Sequence, residues 1–517
     1  MIKKKLPLGI QTFSKIREGD YHYVDKTARI YELITTTDVV FLSRPRRFGK
    51  SLLCSTLGSI FEGRRDLFSD LAIDSLSWEW KKYPVVRIDL NPGDYAQGIG
   101  ELNATINTAL NQCAKKYDVS LEGDSISSCF VNLLTNLHLK YNERVAVIID
   151  EYDKPLLSTL DDKDIHEKIR NALKGFYGVL KSQDEHLKFV FLTGVTKFSK
   201  VSIFSDLNNL SDISLDPRYA DICGITQEEL ESEFAEEIKQ CSINYSGDTN
   251  YLDKLKTYYN GYRFTRVALT VYNPFGLLHH FYNNGEFQPY WFESGSPAFL
   301  IKLIEQQKID ILKLENKEIP IDEFSAYNAD TMAAVPILYQ SGYLTIVNYS
   351  ELDYIYTLDF PNDEVRISFA RSLSRVYAGV PSEDQGALVR DLYKALKSGD
   401  VDEFIKTLRP FYQGIPFDIL SRVEHAYQLI FYVIVRMLGI YCKVEVHNAT
   451  GSIDAVIKAG EYIFVIEFKL NGNAEDALAQ INNKDYALSY EGEGKKIIKL
   501  GIEFDNEKRN IGRYLVA

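Results

Sequence analysis

Three short runs of this 517-residue chain hold residue types that bind phosphate and metal ions. The first, Ser43-Arg44-Pro45-Arg46-Arg47-Phe48-Gly49-Lys50-Ser51, follows an apolar β-rich run and opens a helical stretch. At such a turn, backbone N–H groups and the helix N-terminus favour an anion. Lys50 is placed to reach the β- and γ-phosphates of a nucleotide, and the Ser51 hydroxyl to bind Mg²⁺. Arg46, Arg47, Phe48, Gly49, Lys50 and Ser51 are therefore the candidate nucleotide contacts. The usual spacing GxxxxGK[ST] begins with glycine, whereas Arg44 stands there and Pro45 stiffens the turn. Arg44, Arg46 and Arg47 add positive charge. Taken alone, the run reads equally well as a basic strand-to-helix turn.

The second run, Val145-Ala146-Val147-Ile148-Ile149-Asp150-Glu151, is an apolar strand ending in two carboxylates. Asp150 suits a magnesium ion held through water, and Glu151 suits orienting or deprotonating an attacking water. Asp153 reads as a helix N-cap. A later strand, Phe189–Leu192, ends in Thr193, whose hydroxyl is a candidate sensor of the γ-phosphate. The order of these elements, rather than any one of them, favours a nucleotide site over coincidence.

The third run joins Gly451-Ser452-Ile453-Asp454-Ala455-Val456 to Val465-Ile466-Glu467-Phe468-Lys469. A two-residue turn at Ala459-Gly460 pairs Lys458 with Glu461 and sets Asp454 opposite Val465. Side chains alternate with period two, so Asp454, Glu467 and Lys469 project from one face. The carboxylates are then diagonal neighbours roughly 7–8 Å apart. Mg²⁺ is bound by one or two carboxylates, and Lys469 is placed to stabilise charge on an attacked phosphate. An Asp454–Lys469 salt bridge is the plainest alternative.

The elements that position these residues follow from the patterning. From Asp38 to about Asp221, strands apolar on both faces (39–42, 85–88, 145–149, 189–192) alternate with amphipathic helices such as 100–116 and 165–181. That predicts a parallel sheet covered on both sides. Residues 226–348 read as a helical lid with strand-like alternation at 343–347, 349–410 as a helical connector and 411–517 as a small α/β unit. Within that unit a helix over 421–438 precedes β-runs, a helix over 474–486 and a strand over 496–503.

Bulk properties exclude several classes. Six cysteines without a CxxC pair argue against a zinc site or a disulfide framework and suit a reducing cytoplasm. The apolar stretch 427–441 contains Arg436 and falls short of a membrane span. The net charge of −13 disfavours coating nucleic acid by bulk electrostatics. From Ile405 onward there are 14 basic and 14 acidic residues, against 45 and 58 before it. The C-terminal part therefore meets a polyanion with least penalty.

The Arg44–Ser51 run resembles the variant phosphate loop of the AAA-ATPase-like family. So do Tyr23-Val24-Asp25-Lys26-Thr27, Val201-Ser202-Ile203-Phe204-Ser205 through Asn208-Asn209-Leu210, Tyr259-Asn260-Gly261-Tyr262 and Tyr272-Asn273-Pro274. This resemblance implies a nucleotide-binding domain of the P-loop, AAA-like class with a helical lid, binding ATP and Mg²⁺. The Asp454…Glu467-x-Lys469 pattern resembles the PD-(D/E)xK nuclease superfamily, a small restriction-endonuclease-like α/β fold. That second resemblance implies Glu424 as a further metal contact, Gln480 and Tyr486 beside the nucleic-acid backbone, and DNA or RNA as partner. Ser452 stands where a basic residue is frequent.

Three functions fit these features: an ATPase controlling a Mg²⁺-dependent nuclease, a non-catalytic ATP-dependent switch whose C-terminal module only binds a partner or nucleic acid, and an ATPase whose C-terminal unit serves assembly. An arginine finger, if the chain forms an oligomer, stays unassigned among Arg218, Arg263 and others.

Overall fold

The computed structural model describes residues 4–517 except 198–203, 205–206, 248–249, 268, 296–297, 308, 310, 326–332, 378–381, 414–423, 440–442, 447–453, 470–471, 485–486, 506 and 509. It divides into two units, one of residues 1–291 with 316–361, the other of 292–315 with 362–517.

The first unit is built on a five-stranded parallel sheet. Its strands are β1 (Val39–Ser43), β2 (Val85–Asp89), β3 (Val145–Asp150), β4 (Leu187–Gly194) and β5 (Ser211–Asp212). Their order is β2-β3-β4-β1-β5, so β4 lies between the strand that leads into the glycine-lysine turn and the strand that ends in Asp150. Val147, Val190 and Phe41 are fully or almost fully buried, as expected of strands covered on both faces. Helices α1 (Lys50–Phe61), α2 (Ile99–Tyr117), α3 (Ile126–Tyr141) and α4 (Lys163–Ser182) supply the crossovers. The amphipathic stretches read from the sequence are α2 and α4, each extending one or two residues further at either end than expected.

Beyond the sheet come α5 (Gln227–Glu233), α6 (Ala235–Asn244), α7 (Tyr251–Tyr259) and α8 (Pro274–Tyr282). They close around an aromatic cluster that includes Phe234, Tyr259, Tyr272 and Phe281. Helix α9 (Ala334–Gln340) follows, together with a three-stranded antiparallel sheet of β6 (Lys317–Pro320), β7 (Thr345–Ser350) and β8 (Ile355–Asp359). The division expected between residues 348 and 349 therefore falls inside β7, and β8 occupies a stretch read as helical connector. The strand-like run 343–347 overlaps β7, whereas β8 escapes detection because the polar turn Glu351-Leu352-Asp353 interrupts the period-two pattern.

The second unit holds helices α10 (Asp363–Tyr377), α11 (Ser382–Ser398), α12 (Val401–Gln413) and α13 (Glu424–Leu438). A sheet ordered β13-β12-β11-β10-β9 completes it. Its strands are β9 (Lys443–Val446), β10 (Ala455–Ala459), β11 (Tyr462–Lys469), β12 (Lys496–Asp505) and β13 (Asn510–Val516). The parallel pair β11–β12 is joined through α14 (Ala474–Asn483), and the other pairs are antiparallel. Strand β13 goes beyond the sequence reading, which ends its last strand at Glu503. Phe431 of α13 packs edge-on against Phe468 on one side of the sheet. On the other side, Ile481 of α14 meets Val456, Ile463 and Val465.

Candidate functional sites

The glycine-lysine turn begins where β1 leaves the sheet. Gly49 has φ +93°, a left-handed conformation that glycine adopts without strain, and α1 starts at Lys50. The Lys50 ammonium is buried; it lies 3.3 Å from the Pro45 carbonyl and 3.6 Å from Glu151 Oε1. Burial pushes the Asp150 carboxyl up to about 6, against the pull of a hydrogen bond from Ser51. Lys50, Ser51, Asp150 and Glu151 thus meet at the carboxyl end of one parallel sheet. An ammonium held only by long contacts and a carboxyl starved of water suit a phosphate and a cation between them.

Arg46 and Arg47 are exposed, and the Arg47 guanidinium lies 4.8 Å above the Phe275 ring. Arg44 differs from expectation. It is buried, and its guanidinium donates to the carbonyls of Ser43, Ser214 and Tyr219 at 2.9–3.1 Å while stacking 4.3 Å over Phe264. Its charge therefore fastens the segment after β5 to the loop and is not presented to a ligand. Thr193 is fully buried and donates its hydroxyl proton to the Leu42 carbonyl at 2.7 Å. That bond ties β4 to β1 and leaves no proton for a phosphate. Asp153 is no side-chain cap of the helix it precedes. Its carboxylate accepts instead from Val195 N, Thr196 N and Thr196 Oγ1.

The loop is gripped residue by residue. Pro45 packs where a side chain at Gly342 would collide, and Trp291 Nε1 donates to the Arg46 carbonyl at 3.0 Å. The Phe48 ring sits edge-on to Tyr262 and Phe264, 4.8 and 5.3 Å away. Tyr262 is delivered by the Tyr-Asn-Gly-Tyr segment, whose Gly261 has φ +100° and abuts the Pro361 carbonyl too closely for any Cβ. Arg263 donates to the carbonyls of Thr265, Arg266 and Val347, and Arg218 pairs with Asp216 at 2.6 Å. Both arginines serve local structure. Val201, Ser202, Ile203 and Ser205 of the family pattern lie outside the described residues.

Beside α1 opens an apolar cavity of about 110 Å³, bounded by Tyr23, Val24, Gly49, Leu53, Ile225 and Leu278. Lys26, also on its wall, pairs with Glu229 of α5 at 2.5 Å. Residue patterning alone gives no sign of this cavity; the Tyr23–Thr27 segment enters the reading solely through family resemblance.

In the second unit the hairpin turn is Gly460-Glu461, with Ala459 opposite Tyr462. The expected turn was one residue earlier. Gly460 has φ +56°, and a turn with its positive-φ residue first must begin there. Ala455 faces Ile466, which sets Asp454 opposite Glu467 and no longer opposite Val465. A partner change of two residues keeps the parity, so Asp454, Glu467 and Lys469 do share one face. They are direct rather than diagonal neighbours.

That face lies under α14. Glu467 pairs in register with Gly501, and a Cβ on Gly501 would stand 2.6 Å from the Ala474 carbonyl. The missing side chain lets α14 close down and bring Gln480 Oε1 within 2.5 Å of Lys469 Nζ. Lys469 also lies 3.2 Å from Glu467 Oε1. Asp454 accepts from the Phe468 N–H at 2.9 Å. Burial and then the Glu467 charge push the Asp454 carboxyl up to about 7. Glu467 is 2 % exposed, its carboxyl is likewise raised by burial, and its Oε2 has no hydrogen-bond partner. Two adjoining carboxylates, one with an orphaned oxygen, fit a divalent cation. Among the described residues no group of three or more His, Cys, Asp or Glu gathers as a metal site. Glu424 begins α13, and Tyr486 lies outside the described residues.

Comparisons with known proteins bear on both units. Residues 7–204 match a family model described as "Predicted AAA-ATPase", and residues 422–514 match one described as "PD-(D/E)XK nuclease superfamily". The "Uncharacterized protein in vnfD 5'region" of Azotobacter chroococcum mcd 1 is 36% identical over 527 residues, covering 100% of this chain and 99% of the relative. The two chains belong to one family. In this chain an AAA-ATPase-like domain is joined to a C-terminal PD-(D/E)XK nuclease superfamily module. A structure of the Aeropyrum pernix ORC2 protein, in ADPNP–ADP complexes, aligns with 65% of this AAA-ATPase-like chain and 87% of its own. At 11% identity and a TM-score of 0.25, that likeness bears no weight for the site. Among the described residues of the AAA-ATPase-like protein, no helix is long and apolar enough to cross a membrane.

Proposed function

We propose that the chain binds ATP with Mg²⁺ at the Gly49–Ser51 turn and hydrolyses it, and that its C-terminal module is a Mg²⁺-dependent nuclease acting on DNA or RNA. The ATP half is carried by the meeting of Lys50, Ser51, Asp150 and Glu151 at one sheet end, beside an apolar cavity suited to a flat base. In this reading Lys50 leaves Glu151 for the β- and γ-phosphates, Ser51 and Asp150 hold Mg²⁺, and the released Glu151 carboxylate orients a water. Bound Mg²⁺ would neutralise charge on the transferring phosphoryl group.

The nuclease half rests on the orphaned Glu467 oxygen beside Asp454. Asp454 and Glu467 would hold a Mg²⁺ ion, which when bound lowers the pKa of a coordinated water. Lys469, fixed by Gln480, would stabilise charge on the attacked phosphate.

The test uses the purified full chain with Mg²⁺ or Mn²⁺, with and without ATP, against single- and double-stranded DNA and RNA. Expected are ATP turnover lost in Lys50→Ala and metal-dependent cleavage lost in Asp454→Ala and Glu467→Ala. ATP binding without turnover, and no cleavage of any substrate, would leave the protein a switch. Unchanged cleavage in both hairpin variants would sink the nuclease assignment.

A further inference from the structure

Asp153 has no part in the hydrolytic reading above, yet the geometry around it is closely determined. It is fully buried two residues after Glu151. Its carboxylate accepts from Val195 N at 3.1 Å, from Thr196 N at 2.6 Å and from Thr196 Oγ1 at 2.6 Å. A Cβ on Gly194 would come within 2.2 Å of Asp153 Oδ1, so glycine at the end of β4 is what admits the carboxylate. Tyr152 adds two more ties: its N–H donates to the Thr193 carbonyl at 3.1 Å and its hydroxyl to the Thr196 carbonyl at 2.8 Å.

The end of β4 is itself anchored. Lys197 N donates to Gln340 Oε1 of α9 at 3.0 Å, and its ammonium pairs with Asp212 of β5 at 2.6 Å. Opposite this fixed point, Glu151 has φ +53°. A left-handed backbone is unfavourable for an L-residue other than glycine and persists only where the surroundings impose it.

We propose that Asp153 is the positioning residue for hydrolysis: by fastening the turn after β3 to the end of β4, it holds Glu151 in the left-handed conformation that aims its carboxylate at the attacking water. This rests on the ATPase reading. A purely structural role would weaken folding and nucleotide affinity together, whereas a positioning role separates turnover from affinity.

The experiment measures, in the full chain, steady-state ATP turnover and affinity for a non-hydrolysable ATP analogue. Asp153→Asn, which removes the charge and turns the oxygen 3.3 Å from Val195 N into an NH2 group that repels that N–H, is expected to lower turnover about 10- to 100-fold with analogue affinity within about twofold of wild type. Thr196→Val is expected to lose turnover to a smaller degree, and Thr196→Ser, which keeps the hydroxyl, to recover it. Should Asp153→Asn not fold, the Thr196 pair decides. Wild-type turnover in Asp153→Asn, affinity falling in step with turnover, or Thr196→Ser no better than Thr196→Val would overturn the proposal. A wild-type chain that binds the analogue and turns over no ATP would overturn the ATPase reading, and this role with it.

Discussion

The two sites gather carboxylates and a lysine out of water on different backbones, and the charge they leave unbalanced differs. At the end of the parallel sheet, Asp150 and Glu151 come from one strand end and Lys50 from the helix after another. There Lys50 lies 3.6 Å from Glu151, and Asp150 rises only to about 6. In the hairpin, Asp454 and Glu467 stand side by side across two strands with Lys469 shared between Glu467 and Gln480. Asp454 rises to about 7 and one Glu467 oxygen has no partner. A site assembled from a loop and a helix terminus has backbone dipoles as well as a lysine to balance its acids. A site assembled on paired strands is fixed by register, and in the proposed reading a cation supplies the balance.

The largest expected effect is therefore at the hairpin. Glu467→Ala removes the carboxylate at the centre of the cluster, and metal-dependent cleavage should fall by about 10³-fold or more. The same change deletes a buried, unsatisfied charge, so the thermal midpoint should hold or rise, read by calorimetry. Cleavage that survives while stability drops would make Glu467 a structural ion-pair partner of Lys469.

Next comes Lys50→Ala, which should weaken ATP binding by about 100-fold, near 2.7 kcal/mol, in a nucleotide titration. It also removes the ammonium that opposes the rise of the Asp150 carboxyl, so the contrast between the sites sharpens if the pH dependence of stability changes here and not in a hairpin variant. Comparing cleavage by this variant with and without ATP tests whether the nucleotide controls the nuclease; identical cleavage in variant and wild type under both conditions removes that coupling.

Asp454 supplies a pH test. Its carboxyl is raised from 3.8 to about 7, so in that window the native chain binds more protons than the unfolded one. The group's contribution is most favourable below about pH 4 and becomes destabilising as pH rises to about 7. The melting temperature should therefore fall by a few degrees between pH 5 and 8, and Asp454→Asn should flatten that fall. Added Mg²⁺ at pH 8 should restore it by binding the native state. A slope identical in wild type and Asp454→Asn would assign the dependence elsewhere.

These contrasts also explain what could be read from the chain itself. The parallel sheet was legible because three of its strands, β1, β3 and β4, are apolar on both faces and its helices are amphipathic. The shared face of Asp454, Glu467 and Lys469 was legible because parity survives a two-residue change of partner, although the turn was placed one residue early. What escaped depends on distant contacts. Nothing local marks Arg44 as buried under Phe264, Asp153 as bound to Thr196, or Gly501 as the place where α14 closes on Glu467. Of the hairpin β7–β8 only the start of β7 was legible, as the run 343–347; β8 is short and follows the polar turn that breaks the alternation.

The smallest effect discriminates between a ligand contact and a strand tie at the first site. Thr193 ends an apolar strand near the phosphate loop, which is where a sensing hydroxyl would stand, but its proton goes to Leu42 across the sheet at 2.7 Å. Thr193→Val keeps the shape and the β-branched preference for strand while deleting that bond. The buried Leu42 carbonyl then loses one donor, at a cost of about 1 kcal/mol or a few degrees of melting temperature. ATP turnover measured on the same preparation should stay within about twofold of wild type. If turnover falls tenfold while the melting temperature is unmoved, the hydroxyl does leave Leu42 for the phosphate when nucleotide binds, and the first site would be more mobile than the geometry here implies.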